Sequence, residues 1–118
     1  MNLNKPPKQV LEKLLDRSRC QVQVAALLMD KVGIFAWGWN SEGQTGLGEH
    51  AEMAAMRRCN FHRVPKAVMW IAARRKKSQN PVNSRPCGAC WPAVSRCAYV
   101  VYRNKAGEWK IIRNGTEL

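Results

Sequence analysis

Acidic residues are scarce in this chain. Eight Asp or Glu stand against twenty Lys or Arg, a formal net charge of +12. None of the eight falls between Met53 and Gly107, where twelve basic residues do. So lopsided a field attracts polyanions and speeds encounter with them, and a single-domain enzyme of neutral small molecules has no need of it. A solubility surface or an acidic partner would also account for the charge. Long hydrophobic runs are absent: the apolar stretches are strand-length, which excludes a membrane span. Met1-Asn2-Leu3-Asn4-Lys5-Pro6-Pro7 lacks the apolar core of a secretory signal, so a cytoplasmic location is expected. A disulfide framework is missing as well. Two of the five cysteines form a C-x-x-C, which suits a reducing compartment and a metal. Cys20, Cys59 and Cys97 read as small buried hydrophobes. There are no internal repeats, and 118 residues leave room for one domain over 1–118.

Local patterns give the order of elements. A helix is expected over Lys8–Arg19, with Val10, Leu11, Leu14 and Leu15 as its apolar stripe, packed on a sheet. Gln21–Met29 is a buried strand, Asp30–Gly33 a turn, and Ile34–Trp39 the partner strand. Alternation puts Phe35, Trp37 and Trp39 on one face and leaves Ala36 and Gly38 on a slim face that a helix can approach. Asn40–Glu49 reads as a loop, and a helix follows from Glu49 or His50 to Cys59 with Met53, Ala54 and Met56 inward. Ala67–Ala73 is a strand, Arg74–Arg85 a basic loop, and Cys87 starts a short helix. Ala98–Arg103 and Glu108–Arg113 form a hairpin across Asn104–Gly107. The expected fold is α/β: a mixed five-stranded sheet with helices packed against it in three layers, its last two strands antiparallel.

The chemistry is concentrated in two short segments. His50-Ala51-Glu52 is followed, after 33 intervening residues, by Pro86-Cys87-Gly88-Ala89-Cys90. His50, Cys87 and Cys90 supply three ligands for Zn2+, and three protein ligands leave the open position that a catalytic zinc requires. Glu52 is two residues from the first ligand and can carry protons without binding the metal. Because both segments start helices, lowered thiol pKa values are expected at Cys87 and Cys90. The rival is a closed structural zinc, with a fourth ligand from Cys20, Cys59, His62 or Cys97.

The pair of segments is the H-x-E … P-C-x-x-C signature of zinc nucleobase deaminases, and the chain resembles the cytidine deaminase superfamily. Arg19–Leu28 looks like the first strand of the free-nucleoside enzymes, Gly38-Trp39-Asn40-Ser41-Glu42 like their G-x-N-x-E segment, and Pro86–Cys90 matches their P-C-G-A-C. The likeness spans about Lys8 to Arg113. It implies that Asn40 and Glu42 hold the sugar hydroxyls and that the Ala51 backbone N–H binds the base carbonyl. The seven residues Trp91–Cys97 leave the last strands to pair as a tight antiparallel hairpin. That resembles the cytidine and blasticidin deaminase branch and several toxin-type deaminases rather than the tRNA-adenosine or APOBEC-like branches, which favours cytosine over adenine.

Three departures bear on the substrate. Arg85 stands where Ser usually precedes P-C-G-A-C, Ala25 stands where Gly is common, and little chain follows the hairpin. An open pocket beside a basic loop is expected, with Arg74, Arg75, Lys76, Lys77 and Arg85 on phosphates. Trp91, and Trp37 or Trp39, would be available to stack bases. The expectation is thus a zinc-dependent hydrolytic deaminase of cytosine in single-stranded nucleic acid or a nucleotide, with no membrane partner and self-association allowed. Two alternatives stand: a deaminase of free cytidine or deoxycytidine, and a zinc-stabilised nucleic-acid-binding module without turnover.

Overall fold

The computed structural model describes residues 2–42 and 49–118. Helix α1 runs over Lys8–Arg17 and buries Leu11, Leu14 and Leu15, the i, i+3, i+4 set. Val10, expected in the same stripe, is 37% exposed. The helix stops two residues before Arg19 because Ser18 turns extended (ψ 132°) and its hydroxyl donates to Asn40 Oδ1 at 2.6 Å.

Strands β1 (Val22–Asp30), β2 (Gly33–Trp39), β3 (Val68–Arg75), β5 (Tyr99–Arg103) and β6 (Trp109–Arg113) make the expected five, in the order β2-β1-β3-β5-β6. Among the described residues only β3 and β5 pair in parallel; β5 and β6 form the antiparallel hairpin. Two-residue strands, β4 (Pro81–Val82) on β3 and β7 (Thr116–Glu117) on β6, enlarge the sheet to seven strands. Helix α1 covers one face over Ala25, Leu27, Val68, Trp70 and Val101. Helices α2 (Ala51–Arg57) and α3 (Trp91–Val94) cover the other over Ala26, Leu28, Met69 and Ile71. The layering is therefore α/β/α.

Two details of β2 govern what lies above it. Leu28 pairs with Ala36 and Met29 with Ile34, so Phe35 is an extra residue in a bulge. The bulge overturns the expected Phe35-Trp37-Trp39 face: Phe35 turns to the α2 side, with Arg63 over its ring at 4.2 Å. Gly38, in contrast, provides the slim face that the pattern suggested. A Cβ there would lie 2.6 Å from Ala54 Cβ, 2.7 Å from Ala55 N and 2.9 Å from the Ala51 carbonyl oxygen. Gly38→Ala should therefore push α2 off the sheet and cost roughly 1–3 kcal/mol, measurable by denaturant unfolding. Stability equal to wild type would show that the helix is free to shift.

The α2 helix buries Ala51, Ala54, Ala55 and Met56, while Met53, expected inward, is 39% exposed. It ends at Arg57 rather than at Cys59, and a 3₁₀ turn over Phe61–Lys66 follows. Asn60 caps that turn by accepting from the His62 N–H. From it Arg63 forks onto Asp30, with both N–O distances 2.7 Å. The guanidinium, and the Val32 and Gly33 N–H groups, hold the Asp30 carboxyl well below the usual carboxylate range. A depressed folded-state pKa contributes stability that is present above the unfolded value and lost as pH falls towards the folded one. Asp30→Asn should lower the melting temperature at pH 7, and the gap from wild type should close on acidification below about pH 4. A gap independent of pH would mean that the interaction is not ionic in origin.

Strand β3 runs two residues past its apolar stretch, which corrects the expected loop start at Arg74. Arg74 and Arg75 pair with Gln23 and Val22 of β1 and point to opposite faces. Arg74 is 7% exposed on the α1 side, where its Nε donates to Gln23 Oε1 at 2.9 Å and its Nη2 meets Asp16. It ties α1, β1 and β3 together and is unavailable to a phosphate. Arg75 faces the other way and is exposed.

Candidate active site

His50 is the N-cap residue of α2, in extended conformation, and its side chain makes no capping bond. The ring is thus left for other partners. Ala51 and Glu52 form the first turn, both buried, because Gly38 admits α2 so close to the sheet. Cys87 follows β4, and its carbonyl accepts the N–H groups of both Cys90 and Trp91 at 3.1 Å. That turn folds the C-x-x-C back on itself, and Cys90 becomes the N-cap of α3.

His50 Nδ1 lies 3.0 Å from Cys90 Sγ and 3.5 Å from Cys87 Sγ, and the three donor atoms lie within 4.8 Å of one another. Donors bound to one tetrahedral zinc at ~2.0–2.3 Å sit roughly 3.5–3.8 Å apart, so the cluster fits the ion with shifts of about 1 Å or less. Among the described residues no other such cluster of His, Cys or carboxylates forms. The candidate fourth ligands are elsewhere: Cys59 bonds the Met56 carbonyl, Cys97 is buried in the core beneath α2 and α3, and His62 is exposed on the 3₁₀ turn. Cys20 is half-buried after α1.

The expected lowering of the Cys90 thiol by a helix N-terminus does not occur. Helix α3 spans only Trp91–Val94, and Cys87 lies ahead of it in a turn. Burial dominates, reinforced by the neighbouring Glu52 charge, and pushes the Cys90 thiol up to about 12 before any metal binds. Burial likewise raises the Glu52 carboxyl, opposed in part by its own backbone N–H and by His50. Glu52 is 5% exposed and is not one of the three clustered donors.

A cavity of about 210 Å³ opens beside the cluster. His50, Ala51, Glu52 and Cys87 form one wall, Val22, Val24, Asn40 and Ala73 the sheet wall, and Val82–Arg85 the rim. Asn40 is therefore present, but its carboxamide is largely engaged: Oδ1 accepts from Val24 N–H and Ser18, and Nδ2 donates to the Val22 carbonyl. Glu42 is exposed in an adjoining cleft with Arg17, Arg19 and Asn40. Residues 43–48 of the expected loop lie outside the described residues. Arg85 lines the cavity and reaches Glu117 at 3.2 Å. Lys76 and Lys77 are exposed, and the Lys76 N–H bonds the Gln21 carbonyl next to the cavity residue Val22. Trp91 is half-buried against the core and does not line the cavity, and Trp37 lies on the α1 face.

Several wall residues carried no readable signal. Val22, Val24 and Ala73 look like plain strand residues, and Val82–Ser84 fall in a segment that reads as loop. Ser84 shows what was hidden: 6% exposed, its hydroxyl sits between the Ile71 and Arg103 carbonyls and accepts the Arg103 N–H. It locks the rim to β3 and β5.

Residues 7–104 match the family described as the cytidine and deoxycytidylate deaminase zinc-binding region. The chain belongs to that family. A zinc-binding region in the family and a His-Cys-Cys cluster in this deaminase assign Zn2+ as the cofactor. Its fold is similar to that of cytidine deaminase from Burkholderia pseudomallei, with TM-score 0.65 and 19% identity over 91% of this chain and 89% of that one. It is also similar to cytidine deaminase from Mycobacterium tuberculosis, with TM-score 0.58 and 16% identity over 94% and 93% of the two chains. Sequence comparison with curated proteins finds no match. Among the described residues, no helix is long and apolar enough to cross a membrane.

Proposed function

We propose that this family member converts cytosine to uracil in single-stranded nucleic acid or a nucleotide, residues 1–118 acting as one catalytic domain in the cytoplasm. His50, Cys87 and Cys90 hold zinc, which supplies the Lewis acidity that makes water nucleophilic near neutral pH. Glu52 takes a proton from the attacking water and delivers it to the ring nitrogen; it then moves the second proton to the exocyclic amine. The water oxygen bonds the ring carbon, the carbon–nitrogen bond breaks, and ammonia leaves. Ala51 is at the first position of α2, where the backbone N–H has no intrahelical acceptor and is available to the base carbonyl. Asn40 at the cavity wall, with Glu42 beside it, would orient the sugar.

The observation that carries the substrate class is the charge at the cavity mouth. Arg85 lines it, and Arg75 is the direct register partner of the wall residue Val22, on the same sheet face as Val24 and Ala73. Incubating the protein with cytidine, dCMP and a mixed-sequence single strand, and assaying uracil and ammonia in each, tests the reading. Turnover of free cytidine alone would refute it in favour of the nucleoside enzyme. That second reading draws on the two structural neighbours, which are named cytidine deaminases. Binding without ammonia release would leave a nucleic-acid-binding module.

Neutralising Arg75, Lys76 and Lys77 together should weaken single-strand binding and reduce its salt dependence by about 0.7 in log-log slope for each phosphate no longer engaged. Turnover of free cytidine should not change. Arg74→Gln should instead lower the melting temperature, since Arg74 is bonded within the fold. Salt slopes that ignore all three exposed cations would reduce the charge to a surface property.

A further inference from the structure

Three clefts join end to end around the exposed edge strand β2. The zinc cavity shares Asn40 with a cleft of about 290 Å³ that holds Arg19 and Trp39. That cleft shares Arg17 with a third, of about 330 Å³, which holds Lys13 and Trp37. The second cleft also carries the exposed Glu42; the other charged groups of the second and third clefts are cations, set beside Trp39 and Trp37. Trp37 is 47% exposed, whereas Trp39 is half-buried beneath two guanidiniums, Arg17 at 5.4 Å and Arg58 at 6.0 Å from its ring centre. Among the described residues, Lys13, Arg17, Arg19 and Arg58 have no carboxylate in ion-pair reach; the four ion pairs use Arg57, Arg63, Arg74 and Arg85.

We infer that this edge is the track of a single nucleic-acid strand: its target nucleotide enters the zinc cavity, neighbouring phosphates meet Arg17 and Arg19, and a base farther along stacks on Trp37. The inference rests on the polynucleotide reading proposed above and extends it to a surface outside the cavity. An unpaired flat ring among uncompensated cations suits a polyanion with aromatic faces. Trp39, already covered by guanidiniums, holds them in place and does not stack. Trp37 is three residues from Asn40, about 10 Å of extended chain, or about three stacked nucleotides. A membrane surface fits less well, because the apolar stripe Leu11, Leu14 and Leu15 of α1 is buried in the core. A second copy of a chain with net charge +12 would bring like charges together at this edge.

The test compares wild type, Trp37→Ala and the double variant Arg17→Gln/Arg19→Gln. Each is assayed for anisotropy with a labelled single strand of about 12 nucleotides, within the ~4–16 that single-strand folds cover, for deamination of that strand, and for turnover of free cytidine. Trp37→Ala should weaken strand binding about 5- to 150-fold, the equivalent of one stacked base. The double variant should lower the salt slope by about 1.4, at 0.7 per phosphate. Neither should alter turnover of free cytidine, which carries no phosphate. Wild-type binding and strand deamination in both variants would overturn the track while leaving the proposed function standing. A wild type that neither binds nor deaminates the strand, yet turns over cytidine, would remove the parent reading and the track with it. Loss at Trp37→Ala of a concentration-dependent dimer in sedimentation, or of binding to phosphatidylserine vesicles, with strand binding intact, would assign the patch to another partner and overturn the proposal.

Discussion

Glu52→Ala should leave the protein with about one zinc per chain and lower its deamination by ~10²–10⁴-fold or more. The expectation follows from position. Glu52 is 5% exposed and lines the cavity beside the metal cluster, yet it lies outside the set of three clustered donors. Among the described residues no other carboxylate lines that cavity, so no wall residue there can take over its proton. Stability gives an independent readout. Burial disfavours the charged form of Glu52, so the isosteric Glu52→Gln should fold at least as well as wild type while sharing the loss of activity. Metal content by atomic absorption, melting temperature and ammonia release together decide the matter. Zinc lost along with activity would make Glu52 a ligand, and the shuttle described above would be wrong.

The sequence made the site more legible than its surroundings, for physical reasons. A catalytic zinc fixes residue type and count, so His50, Glu52, Cys87 and Cys90 stand out from spacing alone, and the structure brings them into one corner of the fold. The five main strands and the closing hairpin followed from apolar runs and turn chemistry, and the slim Ala36-Gly38 face did predict a close helix. What escaped depends on properties without a period. A two-residue strand such as Pro81–Val82 has no alternation to detect, so the segment carrying Ser84 read as loop. The bulge at Phe35 leaves no mark in composition, yet it reverses the side chain's face. Arg74 and Arg75 look equivalent as letters. Because β3 continues through both, parity alone buries one with Asp16 and Gln23 and sends the other towards the cavity. The +12 charge pointed to a polyanion, but its total says nothing about which cations already have partners.

Removing a zinc ligand should be the most damaging change to the protein as a whole. His50→Ala, Cys87→Ser and Cys90→Ser should each reduce bound zinc well below one per chain and lower the melting temperature, because metal affinity is coupled to folding. Structural zinc in small domains is worth ~10–16 kcal/mol; a three-ligand site joined to an existing core should lose a fraction of that. Cys59→Ala, Cys97→Ala and His62→Ala should keep their zinc, even where Cys97→Ala loses some stability by emptying a core position. The pH dependence has a definite sign. Burial and the Glu52 charge push the metal-free Cys90 thiol up to about 12, so it carries a proton at neutral pH that zinc must displace. Affinity should therefore climb with pH and fall on acidification by at least about tenfold per unit, one proton being released at Cys90 alone. Competition with a chromophoric chelator across neutral pH measures this directly. Should Cys20, Cys59, His62 or Cys97 prove as necessary for zinc as Cys87, the site would be a closed structural one, with no open position for water and no route to deamination.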